Sequence, residues 1–171
     1  MVRRLLICTL LAMICTGISA QSIEKRYRSF LTSNGMLHFI GKKVLTKTTN
    51  ISKFEYDITY IAGNDSATVN FSFVSDSPTS VHKCSLINNE DNINVSNPQM
   101  MFRDIIKKGY KIRTTTQVAF SDLQKLYERT DPFKFSLVLE NGNSCSASFD
   151  SKQWKKERTD IQRVFNSITT K

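Results

Sequence analysis

The stretch that most constrains this chain is its C-terminal end, Phe133 to Thr169, which reads as a strand, a tight turn, a second strand and a long amphipathic helix. Asp150 stands where an N-cap carboxylate accepts from the first free amides, and Gln153 follows at the capping-box spacing. Phe149 and Trp154 occupy the staple positions on either side of that cap. At about 100° per residue, Trp154, Ile161, Phe165 and Ile168 fall within an arc of roughly 60°, with Val164 beside them. One apolar stripe demands one apolar surface to cover. The preceding strand supplies it, because Phe133, Phe135, Leu137 and Leu139 alternate with Lys134, Ser136, Val138 and Glu140. Lys155, Lys156, Thr159, Asp160, Arg163 and Asn166 form the solvated side of the helix, with Lys156 and Asp160 spaced as a surface pair.

Register follows from which faces must coincide. A loop of Asn141 to Asn143 sets Leu139 over Cys145, Leu137 over Ala147 and Phe135 over Phe149. A tighter Asn141-Gly142 turn would set the phenylalanine face against serines instead.

Upstream, Ile23, Tyr27, Phe30 and Leu31 repeat at helical spacing behind Ser22, and Asn34-Gly35 closes that helix. Met36 to Thr48 reads as two short strands around Gly41. Phe54, Tyr56, Ile58 and Tyr60 alternate with polar residues, and past the turn Gly63-Asn64-Asp65 they share a face with Val69, Phe71 and Phe73 only across an even-numbered loop. Val81 to Ile87 is a further strand, and Asn88 to Asn92 a turn. Asn97 as cap, Pro98, then Met101, Phe102, Ile105 and Ile106 before Gly109, mark a helix at both ends. Tyr110 to Val118 returns to strand, and Ser121 with Gln124 opens a short helix through Leu123, Leu126 and Tyr127 that Asp131-Pro132 closes. The sum is one α+β domain, an antiparallel sheet of about six to eight strands with helices on one face, the long C-terminal one among them.

Compartment is written at the other end. Arg3 and Arg4 precede an apolar run from Leu5 to Cys15 and the small residues Gly17 to Ala20, the pattern of a secretory signal peptide. The run is short of the roughly 20 residues that span a bilayer. Cleavage after Ala20 leaves 21–171 as a soluble, secreted or periplasmic protein, and the departing arginines lower the net charge from +9 to +7. Cys84 and Cys145 alone remain of the four cysteines. In an oxidising compartment they are expected to form a disulfide.

The chemistry available is narrow. His38 lies in an apolar strand pattern, and His82 is two residues from Cys84, which places both side chains on one strand face. Their spacing there, about 6.5–7 Å, is long for a thiolate-imidazole pair. Glu55 and Asp57 share the face opposite the aromatics, which is the solvated one. No metal-ligand spacing, phosphate-binding glycine loop or nucleophile elbow occurs, so no catalytic, cofactor or metal residue is assigned. Basic residues concentrate at Lys25-Arg26-Tyr27-Arg28, at Lys107, Lys108, Lys111 and Arg113, and at Lys152, Lys155 and Lys156. Export past a membrane speaks against nucleic acid and for an anionic envelope component or another exported protein as partner. The expectation is a non-enzymatic exported binding protein; the alternative is a small hydrolase or transferase using Cys84 and His82, or Glu55 and Asp57.

Overall fold

The structure, a computed structural model, describes residues 25–89 and 91–169. In chain order its elements are β1 (Tyr27–Thr32), β2 (Gly35–Val44), β3 (Lys47–Thr49), β4 (Ser52–Ile61), β5 (Ser66–Ser75), β6 (Val81–Ile87) and β7 (Asn92–Asn94). There follow β8 (Gln99–Ile106), β9 (Gly109–Ala119), α1 (Phe120–Glu128), β10 (Lys134–Leu139), β11 (Ser144–Ser148) and α2 (Ser151–Thr169). The expected signal peptide lies outside the described residues.

The alternation of Phe54 to Tyr60 produces the centre of the larger sheet, whose strand order is β1-β2-β4-β5-β9-β8. All its neighbours are antiparallel. Tyr56 stands opposite Phe71 and Ile58 opposite Val69, so the loop between β4 and β5 has the even parity that a shared aromatic face requires. That face is too broad for two helices, each of which offers one apolar stripe. A second antiparallel sheet, in the order β3-β11-β10-β6-β7, covers the rest. Among the described residues the expected single sheet with helices on one face is therefore corrected to two antiparallel sheets with two helices, richer in strand than an α+β reading implies.

Aromatic side chains join these parts. Phe135 of β10 packs against Phe54 at 4.8 Å and Phe71 at 5.7 Å between ring centroids, which locks sheet to sheet. Phe149 bridges Tyr56 to Trp154 of α2, and Trp154 packs on Tyr127 of α1. Phe165 touches Tyr127 and Phe120, and Phe120 stacks on Tyr60 at 3.8 Å, returning to the large sheet.

The C-terminal reading holds for the apolar faces and shifts in detail, and Asp160, expected on the solvated side of the helix, is buried. Asp150 Oδ1 accepts from the Gln153 amide at 2.8 Å, as an N-cap carboxylate does, while Gln153 Oε1 accepts from the Thr46 hydroxyl rather than reaching back to the cap. Leu137 faces Cys145 and Phe135 faces Ala147, two residues from the expected register. The turn is Glu140 to Gly142, closed by Leu139 N–H to the Asn143 carbonyl at 2.9 Å, with Gly142 at φ 83°. An even slip keeps every side chain on its face.

Two expected helices are strands. Tyr27 to Thr32 pairs with β2, Thr32 opposite Gly35, and Gln99 to Ile106 pairs with β9, Ile106 opposite Gly109. Both are the edges of the large sheet. The residues Ser22 and Ile23 of the first expected helix lie outside the described residues.

Candidate functional site

Three clusters of chemically capable side chains stand out, and each is decided by its neighbours. The first surrounds Glu157, which no motif announced. On α2 it lies between Ile168 and Val164 around the helix, inside the apolar stripe, and its side chain has no solvent exposure. Arg26 grips it with two N–H donors, Nη1 to Oε2 at 2.7 Å and Nη2 to Oε1 at 2.9 Å. Lys43 Nζ reaches Oε2 at 3.0 Å and Tyr56 donates to Oε1 at 2.9 Å. A phenol has one hydrogen, so Tyr127, 2.7 Å from Tyr56 Oη, donates in turn to Tyr56. Arg26 also donates through Nε and Nη2 to the Gly41 carbonyl. Burial alone would raise the Glu157 carboxyl, but Arg26 and Lys43 overcome it and hold the group below its ordinary range. Burial first, and the Glu157 charge second, push the Tyr56 hydroxyl well up. With two donors on each oxygen the carboxylate has no site left for a substrate. This cluster is a clamp between the first strands and the last helix.

The second cluster carries Glu55 and Asp57 on the outer face of β4. Asp57 is buried, held by Arg113 Nη2 at 2.7 Å and Asn70 Nδ2 at 2.9 Å, and Arg113 also donates to Ser72 Oγ. Glu55 meets Lys42 Nζ at 3.0 Å and Lys111 Nζ at 3.6 Å, beside a cleft of about 180 Å³ that Lys53 and Lys111 also line. Burial pushes the Glu55 carboxyl up, but Lys42 and Lys111 together outweigh it and bring the group below its ordinary value. These carboxylates are tied to separate cations rather than to each other.

The third comprises His82, Cys84 and Cys145. A bulge in the β6–β10 pairing, Val138 opposite Lys83 but Leu139 opposite Val81, leaves His82 without a facing residue. His82 and Lys83 turn out to solvent while Val81 and Cys84 turn in, so the bulge parts the histidine from the thiol that strict alternation would put on one face. Burial pushes the Cys84 thiol up to about 12. Cys84 and Cys145 stand on either side of β10, both opposite Leu137, and both are buried free thiols. Two strand spacings put their Cα atoms roughly 9–10 Å apart. A bridge needs them within about 6.8 Å. In this register a whole strand, β10, lies between the two ends of the expected disulfide. His38, buried, has its Nδ1 2.8 Å from the Tyr27 hydroxyl.

Among the described residues no three His, Cys, Asp or Glu side chains gather as metal ligands, and no helix is long and apolar enough to cross a membrane. Many lysines, by contrast, carry no ion pair among the described residues: Lys53, Lys107, Lys108, Lys134, Lys152, Lys155 and Lys156. Compared with known proteins, this chain matches no family model, no curated protein and no solved structure.

Proposed function

We propose that this is an exported, soluble binding protein that acts without chemistry of its own and recognises an anionic envelope component. The observation that carries the reading is the division of its charges. Its most enclosed carboxylates, Glu157 and Asp57, are held by Arg26, Lys43 and Arg113 inside the fold, whereas the lysines of α2 and Lys107 and Lys108 of the β8–β9 turn stand without acidic partners among the described residues. Unpaired cations on an exported protein favour encounter with acidic polymers. The hydrolase or transferase alternative loses its support in the exposed His82, the inward Cys84 and the ion-paired Glu55 and Asp57.

The test uses the mature chain, 21–171, on an immobilised acidic polysaccharide beside a control protein of matched net charge. Retention beyond the control at low salt, released at high salt, is expected. Retention no better than the control would end the reading. Secreted or periplasmic material should begin at or near Gln21 on N-terminal sequencing, and an intact Met1 on a cytoplasmic product would refute export.

A further inference from the structure

An open sheet ends in two strands, each with one unpaired edge of N–H and C=O groups, and an apolar edge of this kind is a template for a further strand. In the large sheet those strands are β1 and β8. Of the seven large apolar side chains exposed among the described residues, six stand on them: Phe30 and Leu31 on β1, and Met100, Met101, Phe102 and Ile105 on β8. Exposed apolar residues scattered singly need no account, but these are gathered at the two ends of one sheet.

Charge is a common way to blunt such an edge, and here the charges match instead of repelling. Arg103 of β8 donates to the Pro78 carbonyl at 3.0 Å. Asp104 beside it, and Arg28 on β1, are exposed and carry no ion pair among the described residues. The two edges thus present one free charge of each sign.

Direction and faces agree as well. Every neighbouring pair in the six-stranded order is antiparallel, so β1 and β8 run in opposite senses. A second copy set beside the first in the same orientation therefore brings β8 antiparallel to β1. On β1, Tyr27 and Ser29 stand opposite the buried Ile40 and His38, which leaves Arg28 and Phe30 on the outer face. On β8, Arg103 stands opposite the buried Ile112, which puts Ile105 on the inner face with it and Phe102 and Asp104 on the outer. With Arg28 opposite Asp104, antiparallel pairing sets Phe30 on Phe102, Tyr27 on Ile105 and Ser29 on Arg103, and each pair falls on a single face. β8 does less well with its own twin, since two-fold pairing about its charged centre sets Arg103 on Arg103 or Asp104 on Asp104.

We propose that this protein self-associates edge to edge, β8 of one copy adding to β1 of the next with Asp104 opposite Arg28. The contact is head-to-tail, so each copy added presents a fresh β8 edge and the large sheet continues from molecule to molecule.

Mature protein, 21–171, is followed by sedimentation velocity between micromolar and sub-millimolar concentration. The average mass should rise with concentration and pass that of a dimer. Asp104→Arg and Arg28→Asp each set like charges opposite one another and should raise the concentration for half-association about ten-fold. Combining them restores an opposite-charge pair and should restore association, with far-ultraviolet dichroism confirming that each variant is folded. Ile105→Lys, at the most exposed of the six apolar positions, should weaken association to a similar degree and decides the matter if the double variant does not fold. A monomer at every concentration overturns the proposal. So does association that ends at the dimer, that responds to Asp104→Arg but not to Arg28→Asp, that Ile105→Lys leaves unchanged, or that a folded double variant fails to restore.

Discussion

Glu157 occupies a helix position that apolar residues fill on either side, and a carboxylate survives there because Arg26, Lys43 and Tyr56 supply every bond it can accept. Glu157→Ala leaves those two cations facing a void, and removing one partner of a buried pair costs about 3–5 kcal/mol. Urea unfolding should show that loss, with Glu157→Gln falling between it and the parent. The pH dependence has a definite sign. The folded carboxyl lies below its ordinary value of 4.5, so its contribution is complete above that pH and is lost as the pH falls through the folded value. Glu157→Gln should therefore show a shallower loss of stability on the acid side. A thiol reagent gives the second residue-scale result: two thiols titrate in the unreduced, unfolded mature chain, 21–171, and neither reacts quickly at neutral pH in the folded one, since both are buried and Cys84 is pushed to about 12. A single bridge, with no free thiol, would show that β10 does not separate them. Glu157 was open to sequence reading through one signal, a charge inside an apolar stripe. What the sequence does not carry is its partners, which come from as far away as Arg26.

At the scale of elements, the Lys107-Lys108 turn of the β8–β9 hairpin depends on Gly109 at φ 110°, where an added Cβ would collide with the Ser75 carbonyl oxygen. Gly109→Ala combines backbone strain with that collision and should cost more than about 1 kcal/mol by urea unfolding. An unchanged midpoint would mean that β5 and the turn move apart easily. This glycine served equally well as a helix terminator in the sequence, which is why Gln99 to Ile106 suggested a helix. Periodicity identifies a strand when one face is buried, and β8 has no buried face: Met100, Met101, Phe102 and Ile105 are all exposed, Ile105 at 83%. Tyr27 to Thr32 misleads for the same reason, with Leu31 at 82%. Their strand state comes from pairing with neighbours. Elements with one strong face, β4, β5, β10, β11 and α2, were legible because burial imposes its period on their residues.

Taken whole, the molecule is one chain of aromatic contacts from Phe73 to Tyr60 that passes through both sheets and both helices. No part can loosen its packing without disturbing the next, so thermal unfolding followed by Trp154 emission and by far-ultraviolet dichroism should coincide in one transition. Separated midpoints would show that the sheets and helices unfold as independent units. The Arg26–Glu157 clamp adds a matter of timing, since 131 positions separate its two halves. A polypeptide is made, and threaded through any pore, from its amino end. Arg26 and Lys43 therefore emerge long before the carboxylate they enclose, and until it arrives the early strands have cations where the finished protein has a neutralised interior. Completion waits for α2, the last of the described elements, and whatever handles the growing chain meets an open one until that helix is made.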